Sequence, residues 1–248
     1  MNNLPPIRLL VFDIDGVLTD GEAQPLDLEI LAQLRAMNRA AQKDPALPAV
    51  TLCTGRPAPY VEIMLQAIDS HVPGVNENGC GLYIPQKYRF LPHPGVGNGA
   101  VFARAKEALH RALVETGIAF FQPGKEYSLS IFAHNPAETN LLYEQAVKAL
   151  GSLANSVELG YAASCLNVMP RGVNKGRGLE YLAQLSGYHP AEMLGVGDSD
   201  IDLPFLALTG YSAAPANANR AVQQAVQYVS PLETSAGVRD ILRHFGLG

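Results

Sequence analysis

The run Leu9-Leu10-Val11-Phe12 is unbroken apolar and stops at Asp13. It fits a strand buried on both faces of a parallel sheet, although periodicity alone also admits a buried helix. Apolar residues then recur near helical spacing at Leu28, Leu31, Leu34 and Met37, which predicts a helix over 26–42, closed by Asp44-Pro45. A second short strand is expected at 48–54, with Pro57 where it favours a helix start and a helix over 59–71. Residues 72–83 read as strand material broken at Asn76-Glu77-Asn78-Gly79, whose Asn-Gly pair marks a tight turn.

Between 81 and 167 the texture changes. Pro85, Pro92, Pro94, Gly95, Gly97 and Gly99 make a breaker-rich connection of the kind that separates domains. Val101, Ala105, Ala108, Leu109 and Ala112 predict a helix over 100–116, and alternation over 127–133 predicts a half-buried strand. Asn135-Pro136 starts another helix that Gly151 stops, and 157–159 and 165–169 could be two more strands. Leu179, Leu182 and Leu185 then form an amphipathic helix opened by Asn174-Lys175-Gly176 and stopped by Gly187. Strands are expected at 193–197, 211–214 and 228–230, with helices over 215–225 and 235–245. The alternation predicts an α/β fold: a doubly wound, Rossmann-like parallel sheet core over 1–83 and 168–248, with an α+β module inserted over 84–167.

Composition narrows the function classes. The 248 residues are 48% hydrophobic and 17% charged, which suits one large domain or two smaller ones. A net charge of -5 offers no basic footprint for nucleic acid or an anionic membrane. Cys53, Cys80 and Cys165 are too scattered for a disulfide framework or a metal cluster and read as reduced and buried. The residues before the first strand lack a charged or long apolar leader, and no apolar run approaches the roughly 20 residues that span a bilayer. The expected location is cytoplasmic; the oligomeric state is not readable.

Candidate chemistry clusters where the strands end, the edge at which open parallel sheets bind ligands. Asp13 and Asp15 fall on one side if the extended conformation persists, and two crowded carboxylates call for a cation, a shared proton or several donors. An Asp-rich turn is the competing reading, and these residues alone leave both open. Thr54 could bind phosphate beside fresh helix N–H groups or simply cap the helix. Lys175 stands in a first helical turn, where a cation is unfavourable unless anions compensate it; a solvated lysine is the alternative. Asp198, Asp200 and Asp202 could be a solvated loop or a metal site.

Phe12-Asp13-Ile14-Asp15-Gly16-Val17-Leu18-Thr19-Asp20 resembles the first motif of the haloacid dehalogenase superfamily of phosphohydrolases. Thr54-Gly55-Arg56, Val173-Asn174-Lys175-Gly176 and Gly197-Asp198 with Asp202 resemble its second, third and fourth motifs, in family order. The resemblance implies Asp13 as nucleophile, Asp15 as general acid and base, Thr54 and Gly55 around the phosphoryl group, and Lys175 offsetting its charge. It implies Mg2+ held by the Asp13 carboxylate, the Asp15 main-chain oxygen and Asp198, with Asp202 an occasional ligand or one step removed. Asn78-Gly79 and the insert are similar to the branch with an α+β cap domain, which includes sugar-phosphate and phosphoglycolate phosphatases. Its expected partner is a small phosphorylated metabolite. A phosphomutase sharing the aspartyl phosphate and a non-catalytic sugar-phosphate-binding protein are the alternatives.

Two residues depart from that branch: Val17 stands for the usual Thr, and Ile201 for the Asn that commonly precedes the last Asp. The stretches around Asp15-Gly16-Val17 and Asp202-Leu203-Pro204 resemble instead cap-less phosphatases of eight-carbon sugar acids, which are much shorter. Candidate substrate contacts are Arg56, Glu77, Asn78, Tyr127, His134 and Arg171.

Overall fold

A computed structural model describes residues 5–97, 99–161 and 164–248. The chain begins with β1 (Leu9–Phe12), α1 (Leu28–Lys43), β2 (Ala49–Leu52), α2 (Ala58–Ala67), β3 (Gly74–Asn76), β4 (Gly81–Ile84) and β5 (Arg89–Pro92). It continues through α3 (Ala100–Leu109), β6 (Ala119–Phe121), β7 (Leu129–Ala133), α4 (Thr139–Leu150), β8 (Val157–Tyr161) and β9 (Leu166–Pro170). It closes with α5 (Lys175–Ser186), β10 (Met193–Val196), α6 (Leu203–Leu206), β11 (Tyr211–Ala214), α7 (Arg220–Ala225), β12 (Tyr228–Val229) and α8 (Thr234–His244).

Five of these strands form one parallel sheet in the order β12-β11-β10-β1-β2. Because side chains alternate across a strand, Leu10 and Phe12 of β1 face one way and Leu9 and Val11 the other. The first pair packs with Ile30, Leu31 and Leu34 of α1, Val61 and Met64 of α2, and Ile241 and Leu242 of α8. The second pair packs with Leu179 and Leu182 of α5, Phe205 of α6 and Val222 of α7. Helices therefore cover both faces, which is why β1 is apolar throughout rather than alternating. Among the described residues, no helix is long and apolar enough to cross a membrane.

The inserted module has its own core. An antiparallel sheet ordered β6-β7-β9-β8 packs Leu129, Ile131, Leu166 and Val168 against Phe102, Leu109, Leu142 and Ala146 of α3 and α4. The fold is thus the expected parallel core with an α+β cap, plus a small antiparallel sheet, β3-β4-β5. The boundary expected between 83 and 84 falls inside β4, and the one between 167 and 168 falls inside β9.

Several local expectations differ from what forms. Leu28 is 74% exposed, and the buried stripe of α1 is Ile30, Leu31, Leu34, Asn38 and Ala41. Asp27 starts the helix by capping it, accepting from the N–H groups of Glu29 and Ile30 at 2.9 and 3.1 Å. Asn38 is tolerated inside because it donates to the Ile68 carbonyl and accepts from the Val50 N–H. The helix expected over 215–225 is only Arg220–Ala225, started by the Asn219 side chain accepting from the Val222 N–H. The helix expected over 100–116 loosens into a π turn at His110–Val114. β5 lies in the stretch read as a breaker-rich connection, and β6 in one for which no element was expected.

Candidate active site

Asp13 follows β1 directly, and its N–H donates to the Val196 carbonyl of β10 at 3.0 Å, so strand pairing delivers it to the carboxyl-end rim. Lys175 opens α5 and is 1% exposed. Its Nζ lies 2.8 Å from Asp13 Oδ2 and 2.5 Å from Asp202 Oδ1. The charge that a first helical turn disfavours is thereby held between two anions rather than solvated. Asn174 starts the helix by accepting from the Arg177 N–H at 3.0 Å. Gly79 permits this placement: its φ is +100°, and a Cβ there would sit 2.0 Å from the Asn174 carbonyl oxygen.

Asp202 is fully buried and its oxygens are engaged. Oδ2 accepts from the N–H groups of Asp198 and Ser199 and from the Ser199 hydroxyl, each at 3.0 Å, while Oδ1 takes Lys175. It therefore ties the 197–199 loop to Lys175. Gly16, at φ +78°, lets β1's following turn approach the opposite loop, since a Cβ there would meet Asp198 Oδ2 at 2.3 Å. Burial, then the negative charges of Asp13 and Asp202, push the Asp198 carboxyl up to about 8. Burial likewise lifts Asp13, with Lys175 opposing. Burial alone would lower Lys175, but Asp13 and Asp202 more than reverse it and hold the ammonium charged.

This arrangement fits a hard divalent cation. Asp13, Asp198 and Asp202 each bring an oxygen within 4.8 Å of the others, and Asp13 Oδ1 is buried with no hydrogen-bond partner. A cation beside Oδ1 would satisfy that atom and offset the repulsion that raises both acids. Asp15 is held differently: Arg56 Nε and Nη2 donate to Asp15 Oδ2 and Oδ1, both at 2.6 Å.

A cavity of about 420 Å3 lies over these groups. Asp13, Asp15, Thr54, Gly55, Arg56, Asn78, Lys175 and Asp198 all line it, so four separated segments of the chain meet at one rim. His134 and Arg171 are not among its lining residues. His134 is exposed and packs on Phe120 at 5.3 Å, and Arg171 donates to the carbonyls of Asn155, Ala154 and Val157. Glu77 is buried beneath the cap segment, accepting from the N–H groups of Glu126, Tyr127 and Ser128 at 3.0, 2.9 and 2.8 Å. Tyr127 enters this contact through its backbone. Of the departures, Val17 is buried in the core, whereas Ile201 lines the cavity.

The sequence reading missed Gln122, Lys125, Ser130 and Asn167, which line the cavity from the cap side. A signal existed in part: Ser128 and Ser130 alternate with Leu129 and Ile131, leaving a polar face on a strand whose other face is core. That Ser130 pairs with Asn167 across β7 and β9 required the strand register.

A family model described as haloacid dehalogenase-like hydrolase matches residues 113–242. The phosphoglycolate phosphatase of Halorubrum lacusprofundi is 31% identical over 255 residues, covering 97% of this chain and 98% of its own length. The chain belongs to the haloacid dehalogenase-like hydrolases. The relative spans the Asp13 and Thr54 segments that precede the family-model match. Two solved structures share the fold of this hydrolase. Thermoplasma acidophilum 0175 has a TM-score of 0.76 at 21% identity, covering 98% of this chain and 100% of its own. A sugar phosphatase of HAD subclass IIB has a TM-score of 0.67 at 18% identity, covering 97% and 100%.

Proposed function

We propose that this hydrolase releases phosphate from small phosphomonoesters of the sugar-phosphate or phosphoglycolate type through a phosphoryl group carried on Asp13. The observation that carries this reading is the Asp13 carboxylate itself. One oxygen rests on Lys175 at 2.8 Å, the other is buried without a partner, and the residue lines a cavity of about 420 Å3. The activity named for the Halorubrum lacusprofundi relative supports the same class.

Asp13 attacks phosphorus in line with the leaving oxygen, forming an acyl phosphate and breaking the ester bond. Lys175 stays charged throughout and offsets the negative charge gathered on Asp13 and the phosphoryl oxygens. Thr54 and the backbone around Gly55, which line the same cavity, orient the phosphoryl group. Asp15 gives a proton to the departing oxygen and then takes one from the water that cleaves the acyl phosphate. Both Asp15 oxygens rest on Arg56, so Arg56 aims this carboxylate, and one of the two contacts must be exchanged as the proton moves.

Mg2+ is the proposed cofactor: held by Asp13, the Asp15 main-chain oxygen and Asp198, with Asp202 bracing the loop, it would supply a positive charge between anionic nucleophile and anionic substrate. The strand pairings support a core of 5–97 and 172–248 and a cap of 99–170. Three buried free cysteines support a reducing, cytoplasmic setting. The test is magnesium-dependent phosphate release from a panel of sugar phosphates, phosphoglycolate and nucleotides. Release from small esters is expected, and no release from any member would refute the reading.

A further inference from the structure

Lys125 is 6% exposed, lines the cavity from the cap side, and carries a charge that the reaction scheme does not use. Among the described residues, no carboxylate pairs with its ammonium. Its Nζ donates to Ser130 Oγ, and Ser130 Oγ donates to Asn167 Oδ1 at 2.7 Å. Cys165 Sγ also donates to that oxygen at 3.9 Å, so both lone pairs of the Asn167 amide oxygen are used. Apart from one lone pair of Ser130 Oγ, what the chain of contacts still presents is donors: the remaining ammonium hydrogens of Lys125 and the amide N–H groups of Asn167.

A buried cation without an anion is costly, and burial pushes this ammonium below its ordinary range. Two features keep it there. Gly124, at φ +83°, packs where a Cβ would touch Pro57, and Glu77 of the core holds the next three N–H groups of the segment. The lysine is thus fixed to the core at the mouth of the site. One positive charge and a set of donors match a monoanionic, planar acceptor better than a neutral hydroxyl, which needs an acceptor too, or a second phosphate, which carries more charge.

We infer that Lys125, Ser130 and Asn167 form a subsite for a carboxylate, so that the favoured substrate is a short phosphomonoester carrying a carboxylate on the alcohol side. This inference rests on the phosphatase reading above and goes beyond it by separating acid-bearing esters from neutral sugar phosphates.

The test measures kcat/KM for 2-phosphoglycolate and for ethyl phosphate, which has the same chain length without the carboxylate. Wild-type enzyme should prefer phosphoglycolate by tenfold or more. Lys125→Met should lower kcat/KM on phosphoglycolate by about 10- to 100-fold, mainly through KM, the range expected for one charge-assisted hydrogen bond. On ethyl phosphate it should change kcat/KM by less than about threefold, and Lys125→Arg should recover part of the preference. Should Lys125→Met fail to fold, glycolate should still inhibit wild-type hydrolysis of ethyl phosphate competitively, and ethylene glycol should not. Equal losses on both esters, or a wild-type enzyme with no preference and no inhibition by glycolate, overturn the subsite and leave the phosphatase reading intact. Failure of both esters and of the whole panel overturns the phosphatase reading itself.

Discussion

Arg56 and Asp15 meet through two parallel contacts of 2.6 Å, Nε to Oδ2 and Nη2 to Oδ1, so the proposed acid and base is aimed by the residue that follows Thr54-Gly55. Such a fork fixes the plane of the carboxylate as well as its position, which a lysine cannot do. The guanidinium is itself steadied over Tyr60 at 4.8 Å.

Replacing Arg56 should therefore damage turnover more than binding. Arg56→Met is expected to lower kcat by about 10- to 100-fold, within the range that general acid–base catalysis contributes, with a smaller change in KM. Arg56→Lys should recover only part. Steady-state kinetics across pH 5 to 9 check this. A wild-type kcat and pH profile in Arg56→Met would show that Asp15 needs no such support.

Metal affinity should depend on pH. Without a cation, Asp198 is pushed up to about 8 by burial and by its acidic neighbours, so below that pH a cation must displace a proton to bind. The sign follows: affinity rises as pH rises toward 8 and levels off above it. For release of one proton the slope is about tenfold in Kd per pH unit, read by calorimetric titration of Mg2+ between pH 6 and 9. A pH-independent Kd would contradict the crowded-carboxylate description.

Glu77 predicts a test of how the cap is held. Its carboxylate accepts three N–H groups and the Ser128 hydroxyl, all from the segment that follows Lys125. Glu77→Gln turns an acceptor into a donor against those N–H groups and should destabilise by about 1 to 3 kcal/mol, since buried donors lose their partners. Thermal unfolding should register the loss. Hydrogen exchange should localise it to 126–128, together with a raised KM. Unchanged protection of those amides would contradict the clamp.

What the chain disclosed in advance follows from where polarity interrupts an apolar pattern. Asp13 after Leu9–Phe12, Thr54 after Ala49–Leu52 and Asp198 after Met193–Val196 stood out because each follows a short, mostly apolar run, but an Asp-rich turn, a helix cap and a solvated loop competed with them until the four motifs were read together. Lys175 was legible only together with the other motifs, because a solvated lysine was the competing reading of a cation in a first helical turn. The cap was harder. Ser130 and Asn167 are 37 residues apart and meet only through the register of β7 and β9, which no local period encodes. His134 and Arg171 were plausible by residue type, but nothing local tells which end of a cap strand faces the core. Leu28 misled because three apolar neighbours shared its spacing, while it stands at the first position of the helix, just past the Asp27 cap, where it is exposed.

The central claim is that Asp13 carries the phosphoryl group. Rapid acid quench of the enzyme during turnover, followed by peptide mass analysis, tests it most directly, and Asp15→Asn should prolong the intermediate by slowing its hydrolysis. The account predicts one phosphoryl group on the peptide containing Asp13, absent from Asp13→Asn. A phosphoryl group on another residue, or Asp13→Asn releasing phosphate at the wild-type rate, would contradict it.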